Sequence, residues 1–195
     1  MEQIIKKAII KAMALHEGQT RKGDGSPYIS HPLEVGFIVS RYTNRNSYIA
    51  AAILHDTIED CEYTQDELQQ EFGEEISAIV SALTEDKSRE DWSSRKLENL
   101  SRIEGLNAAL FIKAADALSN MRSLVAALQT NGESIWSKFK APKAIQILYF
   151  KDILSRGINV LPSGLVAEYV EALKDLEYSD AYVPRGIGFN APVAA

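Results

Sequence analysis

Apolar residues recur along most of the chain at the three- and four-residue spacing of an amphipathic helix. The pattern is clear from the start, where the first helix over residues 2–17 would bury Ile4, Ile5, Ala8, Ile9, Ala12 and Leu15. No segment shows the sustained two-residue alternation of a half-buried strand. The chain is therefore predicted to be all-α, a single-domain bundle of about eight or nine helices.

Residues that start and stop helices divide this pattern into elements. Pro32 and Pro142 can each open a helix, since proline fits the first helical turn. Thr64 and Glu67 form a capping box, which predicts a short helix that ends near Gly73. The other helices are predicted over residues 47–58, 74–83, 93–104, 107–128 and 164–176.

Composition narrows the function classes. With 46% hydrophobic and 25% charged residues among 195, the chain can bury a substantial core. Its net charge of −6 argues against a general nucleic-acid surface, which is basic, although local cations could bind a phosphorylated ligand. A single cysteine excludes an intramolecular disulfide. No apolar run approaches the roughly 20 residues of a membrane span, so a cytoplasmic location is expected.

The stretch AAILHDTIEDC, residues 51–61, places three carboxylates directly after an apolar segment. On a continuous helix, His55 and Glu59 would share one face, and Asp56 and Asp60 would share the neighbouring face. Like charges at this spacing repel one another, and burial adds to the cost. A cation is therefore expected beside them.

Two further residues complete a candidate metal site with His55 and Asp56. His31 lies in YISHP, where a turn would expose it, and Asp116 lies inside the apolar run FIKAADALSN, where a carboxylate needs a partner. Imidazole and carboxylate groups together suit a divalent first-row metal. The alternative is structural, because Lys113 lies on the same face of that helix and could neutralise Asp116 by an ion pair.

These motifs resemble the HD-domain metal-dependent phosphohydrolases. They are most similar to the stand-alone small alarmone hydrolases of the RelA/SpoT-homology family. The segments that carry the resemblance are HEGQTRKGDGSPYISHPLEV, AAILHDTIEDCEYTQDELQQEFGEEISAIVSALTEDKS and IKAADALSNMRSL, at 16–35, 51–88 and 112–124.

The extent of the resemblance suggests how the chain is organised. It covers about residues 1–155, which are expected to form the HD-type phosphohydrolase core. Residues 156–183 are expected to form a helical extension packed on the same domain. Residues 184–195, with glycine and proline but no periodicity, are expected to be a loosely ordered tail. The synthetase half of the larger family members is not expected.

The resemblance also implies roles for particular residues. The implied metal ligands, usually for Mn²⁺, are His31, His55, Asp56 and Asp116. The implied catalytic pair, which positions and deprotonates the attacking water, is Glu59 and Asp60, with the proton acceptor left open between them. The implied substrate-binding residues are Arg21, Lys22, Asn120, Arg95 and Lys96.

The activity implied is hydrolysis of the 3′-pyrophosphate of ppGpp, pppGpp or ppApp, the alarmones of the stringent response, with release of pyrophosphate and the 5′-nucleotide. The base preference is open, because the loop before His31 is about one residue longer than in many relatives. Two other functions stay open: a related phosphatase, for example for the 2′-phosphate of NADPH, and a non-catalytic nucleotide sensor. The expected partner is a small nucleotide and neither nucleic acid nor membrane; no oligomeric state is predicted.

Overall fold

The computed structural model describes residues 2–88 and 91–179. They form nine α-helices of at least eight residues, one single-turn helix and one 3₁₀ helix, and no strand lies within the described ranges. The helices are α1 (Gln3–Leu15), α2 (Ser30–Ser40), α3 (Asn46–Leu54), α4 (Thr57–Asp60), α5 (Gln65–Phe72), α6 (Glu74–Leu83), α7 (Trp92–Ile103), α8 (Asn107–Asn131), α9 (Lys143–Gly157) and α10 (Ser163–Glu177), with the 3₁₀ helix at Gly132–Lys138. The all-α prediction is confirmed, while the predicted tail at 184–195 lies outside the described residues.

Helix α8 is the central element of the bundle. Fourteen of its 25 residues are buried, and it contacts α2, α3, α6, α7, α9 and α10. A helix that is apolar on nearly all sides can be stable only when other helices surround it. Asp116, in the middle of this helix, is consequently held inside the protein.

Helices α2 and α3, at whose ends the two candidate histidine ligands lie, pack closely against each other where they cross. Gly36 of α2 lies against α3, where an added Cβ would stand 2.5 Å from Cγ1 of Ile53. Only a residue without a side chain permits this approach. The close crossing places His31, at the start of α2, beside His55, at the end of α3.

The prediction of a continuous helix over residues 47–58 is wrong, because the helix is interrupted at His55 and Asp56. Helix α3 ends at Leu54, and the single turn α4 begins at Thr57. Side chains compete for the carbonyl groups at the break, because Thr57 Oγ1 donates to Leu54 O at 2.7 Å and His55 Nδ1 donates to Ala52 O at 2.8 Å. The face assignment made for a continuous helix therefore does not apply.

Several predicted helix ends agree with the structure. The Thr64 hydroxyl accepts from the backbone N–H of Glu67, whose carboxylate accepts from the backbone N–H of Thr64, so the capping box is present. Gly73 ends α5 with a φ of 86°, a conformation that favours glycine. Pro142 precedes α9 directly, whereas α2 begins two residues before Pro32.

The last two helices pack on the rest of the bundle. The Tyr169 side chain of α10 is fully buried, and its hydroxyl donates to the carbonyl of Phe150 at 2.9 Å. Glu168 accepts hydrogen bonds from Tyr42, Arg41 and Arg122, and these bonds lower its pKa to about 2 although burial opposes the shift.

The division of the chain at residue 155 stays a prediction. Over the described ranges, no helix has the length and apolarity needed to cross a bilayer.

Candidate active site

A cavity of about 760 Å³ lies between the loop at 18–24, α4 and the middle of α8. Nine of the eleven predicted site residues line it. The two others stand beside it: His55 next to Asp56, and Arg95 next to Glu85. Helix α8 contributes a stripe of side chains to one wall, namely Lys113, Asp116, Asn120, Ser123, Leu124 and Ala127.

The four predicted metal ligands converge at the bottom of this cavity. His31 Nε2 lies 3.2 Å from Asp116 Oδ1 and 3.8 Å from Asp56 Oδ2. His55 Nε2 lies 3.1 Å from Asp56 Oδ2 and 3.9 Å from Asp116 Oδ1. The ligand atoms of His31, His55 and Asp116 lie within 4.8 Å of one another, and Asp56 Oδ2 stands beside both imidazoles.

Hydrogen bonds fix the orientation of the His55 ring. Its Nδ1 must carry the proton, because Nδ1 lies 2.8 Å from the carbonyl oxygen of Ala52, which can only accept. In the neutral ring, the lone pair is then on Nε2, the atom that faces the carboxylates. This Nε2 is buried and makes no hydrogen bond within the described part of the chain.

The same argument applies to His31 through one more side chain. The Ser119 hydroxyl donates to Glu34 Oε2 at 2.9 Å, so its oxygen accepts from His31 Nδ1 at 3.0 Å. The His31 lone pair is consequently on Nε2 as well. Partners of this kind orient the histidine ligands of metal ions and increase their basicity.

This arrangement fits a divalent cation. Two buried lone pairs and the Asp116 carboxylate converge, with Asp56 beside both rings, and imidazole with carboxylate is a donor set for first-row metals. Without a metal, Asp56 and Asp116 raise the pKa of His55 to about 9 although burial opposes protonation. The proposed ion pair of Lys113 with Asp116 is also present, at 3.6 Å between Nζ and Oδ2. The ion pair uses Oδ2 of Asp116, whereas Oδ1 faces His31, so the ion pair and the metal site are compatible.

Replacement of Ser119 by alanine is expected to weaken metal binding by about 10- to 100-fold. The change removes the acceptor of His31 Nδ1 and leaves a buried donor without a partner. The dissociation constant for Mn²⁺, measured by competition with a chelating dye, tests this expectation. Ser155→Ala, at an exposed serine of α9, is the control, and an unchanged affinity in Ser119→Ala would contradict the role given to this hydroxyl.

The predicted catalytic pair lies on the single turn α4, directly after the ligands. Glu59 Oε2 accepts from the backbone N–H of Glu85 at 3.1 Å. Burial, together with the charge of Glu85, raises the Glu59 pKa above its usual value. Asp60 Oδ1 lies 2.6 Å from Lys87 Nζ, which also donates to the backbone carbonyl of Glu59. The two acids therefore have different surroundings.

Three residues at the site were not anticipated from the sequence. The Tyr28 hydroxyl donates to Asp56 Oδ2 at 2.6 Å and lies 3.4 Å from Asp60 Oδ2, so it links the two acids. Glu85 and Lys87 come from the segment TEDKS, which follows α6. The position of Tyr28 in YISHP, three residues before a ligand, was the available signal for its role.

The predicted nucleotide-binding residues lie at the other side of the cavity. Arg21 donates to Asn120 Oδ1 at 3.1 Å and to the Ser123 hydroxyl at 3.2 Å. Asn120 donates to Asp116 Oδ1 at 2.5 Å. The arginine is thereby connected to the metal site through one amide. Lys22 lines the cavity beside Arg21.

Arg95 and Lys96 take different positions on α7. Lys96 lines the cavity, and its ammonium lies 5.8 Å from the ring centre of Trp92 and 5.4 Å from that of Tyr149. Arg95 does not line the cavity and donates to Glu85 Oε2 at 2.9 Å. Trp92 packs edge-on against Tyr149 and also forms part of the cavity wall.

Comparison with known proteins defines the class of this chain. The family model described as "HD domain" matches residues 8–145. The chain therefore belongs to the HD-domain family, in agreement with the resemblance read from its motifs.

The curated relatives are much longer proteins. GTP pyrophosphokinase rsh of Brucella abortus is 40% identical over 130 residues, which are 63% of this chain and 17% of that protein. Guanosine-3′,5′-bis(diphosphate) 3′-pyrophosphohydrolase of Vibrio cholerae is 34% identical over 129 residues, which are 63% of this chain and 18% of that protein. The chain thus spans less than a fifth of the length of these relatives, whose names denote two different activities.

Two solved structures are similar over most of this chain. One is a metazoan orthologue of SpoT that hydrolyses ppGpp, with a TM-score of 0.73, 24% identity, and coverage of 89% of this chain and 96% of that one. The other is a crystal structure from Listeria monocytogenes EGD-e, with a TM-score of 0.67, 30% identity, and coverage of 81% of this chain and 98% of that one. Both have the fold described above over nearly their full lengths.

Proposed function

We propose that this protein is a metal-dependent phosphohydrolase that removes the 3′-pyrophosphate of alarmone nucleotides of the ppGpp, pppGpp or ppApp type in the cytoplasm. One observation supports the proposal above the others. One cavity is lined by His31 and the two aspartates, by the acids of α4 and by the cations Arg21, Lys22 and Lys96, and His55 stands beside it against Asp56. The name of the Vibrio cholerae relative supports the choice of substrate.

The four ligands His31, His55, Asp56 and Asp116 would hold the metal, for which we propose Mn²⁺. Such an ion supplies Lewis-acid chemistry, since it makes water more acidic and neutralises charge on phosphate oxygens. The reaction breaks the bond between the 3′ oxygen and its phosphorus, and the oxygen of water joins that phosphorus. A proton passes to the 3′ oxygen, and the products are pyrophosphate and the 5′-nucleotide.

We assign proton removal from the attacking water to Glu59. Burial and the charge of Glu85 raise the pKa of this carboxylate, which makes it a stronger base than an exposed glutamate. The backbone N–H of Glu85 holds only Oε2, at 3.1 Å. Asp60 is bound to Lys87 at 2.6 Å, so its Oδ1 is occupied by the ammonium. Asp60 therefore positions the water or Glu59. The Tyr28 hydroxyl lies 3.4 Å from the other carboxylate oxygen of Asp60, Oδ2.

Arg21, Lys22 and Asn120 are proposed to bind the nucleoside end of the substrate. They lie along the cavity away from α7, and the Asn120 amide connects Arg21 to the metal ligand Asp116. Lys96, on the α7 side, is proposed to bind a phosphate. Arg95 is proposed to act only through Glu85, because it does not line the cavity.

An end-point assay with Mn²⁺ tests the activity. ppGpp, pppGpp, ppApp and NADPH are offered separately, each with an EDTA control, and the products are identified by anion-exchange chromatography. We expect metal-dependent release of pyrophosphate from at least one of the three alarmones, and the relative rates would give the base preference.

Two other results would contradict the proposal in different ways. Orthophosphate released from NADPH alone would make the protein a phosphatase of another nucleotide. Absence of turnover on all four compounds, with metal bound, would leave a nucleotide sensor that uses the same cavity.

A further inference from the structure

A buried carboxylate on the α7 side of the cavity is shared by three cations. Glu85 has a side chain that is only 1% exposed. Its Oε2 accepts from Arg95 Nε at 2.9 Å, and its Oε1 accepts from Lys96 Nζ. The third cation, Lys113, is buried as well, but its Nζ stays 3.8 Å from Glu85 Oε1. Both oxygens of Glu85 thus bind other cations, and Lys113 lies beyond hydrogen-bonding distance of them.

Lys113 has one other carboxylate close by. Its Nζ lies 3.6 Å from Asp116 Oδ2, which is also beyond hydrogen-bonding distance. The Lys113 ammonium thus lines the cavity in two ion pairs, at 3.6 and 3.8 Å, and makes no hydrogen bond to either carboxylate.

Occupation of the metal site would reduce the negative charge available to Lys113. Asp116 would then share its charge with a divalent ion, so its attraction for Lys113 would weaken. Glu59 would become neutral when it takes a proton in the proposed reaction. Each change leaves Lys113 and Lys96 with less compensation in a region of low dielectric constant, where an uncompensated charge is costly.

The position of Lys113 relative to the metal ligands indicates which anion fits. Asp116 presents Oδ1 to His31, at 3.2 Å, and Oδ2 to Lys113, at 3.6 Å. The carboxylate group of Asp116 thus lies between Lys113 and the point on which the ligands converge. A phosphate at that point would have its next linked phosphate near Lys113 and Lys96.

We propose that Lys113 and Lys96 form a subsite for the terminal phosphate of a pyrophosphate group. The subsite selects ligands with two linked phosphates over those with one. The biological meaning of this inference rests on the proposed function. In that reaction, Lys113 is a specificity-determining residue that favours a 3′-pyrophosphate over a nucleotide monophosphate ester. Lys113 and Lys96 touch the substrate, whereas Glu85 and Arg95 position them.

Equilibrium binding of two inorganic anions tests the subsite without any turnover. Protein loaded with Mn²⁺ is titrated with pyrophosphate and with orthophosphate in a calorimeter, and its metal content is measured after each titration. Wild-type protein should bind pyrophosphate at least about tenfold more tightly than orthophosphate. Lys113→Met should lose about 10- to 100-fold of the pyrophosphate affinity, as expected for one charge-assisted hydrogen bond, and should keep its orthophosphate affinity within about threefold.

Lys151→Met is the matched control, because Lys151 is an exposed lysine of α9 whose side chain is 50% accessible and pairs with Glu177. It should bind both anions as wild type does. If Lys113→Met does not fold, as judged by circular dichroism, Lys96→Met provides the same test at a side chain that is 21% exposed. An equal loss for both anions, or no loss for pyrophosphate, would overturn the subsite.

The two proposals can fail separately. If no nucleotide is hydrolysed but Lys113→Met selectively loses pyrophosphate, the proposed function is wrong and the subsite stands. If ppGpp is hydrolysed but the Lys113 variant binds pyrophosphate as wild type does, the subsite is wrong and the proposed function stands.

Discussion

Asp116→Asn is expected to lose bound metal and to reduce turnover by about three orders of magnitude or more, with the fold intact. The substitution keeps the shape of the side chain but removes the charge that faces His31 at 3.2 Å. The catalytic contribution of a metal ion amounts to several kcal/mol, so its loss has an effect of this size. Metal content after gel filtration, determined by mass spectrometry, and the initial rate of product release provide the measurements.

The fold of this variant should survive because Lys113 still has Glu85 as a neighbour, at 3.8 Å. Circular dichroism would verify the helical content. Asp66→Asn, at an exposed aspartate of α5, is a matched control and should leave both metal content and rate unchanged. Full activity of Asp116→Asn with the normal metal content would remove Asp116 from the site.

Glu59→Gln is expected to retain the metal and to lose about 10²- to 10⁴-fold in rate, the range of general base catalysis. Glutamine still offers an oxygen to the backbone N–H of Glu85, so the side chain can keep its position, but it cannot take a proton at the same cost. The experiment measures kcat and metal content together. Loss of metal would make Glu59 a ligand instead of a base.

Asp60→Asn distinguishes the two acids of α4. Because the Lys87 ammonium occupies Oδ1 of Asp60 at 2.6 Å, we expect a smaller loss of kcat than in Glu59→Gln. The pH profile adds a second criterion. Glu59 must be deprotonated to act as a base, so the rate should fall as the pH decreases through its raised pKa, and this acid limb should vanish in Glu59→Gln. A greater loss in Asp60→Asn would reverse the assignment.

The helical class could be predicted from the sequence because it follows from local rules, and so could the need of Asp116 for a partner. Apolar spacing specifies which face of a helix is buried, and a carboxylate such as Asp116 inside an apolar run requires a cation or a hydrogen-bond partner. His31, His55 and Asp56 could be added by residue type and by resemblance. The structure brings all four together, at distances between 3.1 and 3.9 Å.

The surroundings of the site could not be predicted, because they depend on contacts between distant segments. Lys87 is 27 residues from Asp60, and Glu85 is 26 residues from Glu59, so no local pattern connects these pairs. The break after Leu54 has a similar origin. Ala51, Ala52 and Leu54 before the break are good helix formers, and the interruption depends on hydrogen bonds from His55 and Thr57 that compete with the helical ones. Propensity alone cannot include that competition.

The stripe of α8 along the cavity wall gives the site a linear order. From Lys113 to Ala127 the helix rises about 20 Å, with the cation and Asp116 first, Asn120 and Ser123 next, and the apolar Leu124 and Ala127 last. A rigid helix fixes these intervals, so one end can be changed without moving the other. Variants at 124 and 127 therefore offer a route to new base preferences with the hydrolytic machinery unaltered, and a library limited to those two codons would be a compact starting point for engineering.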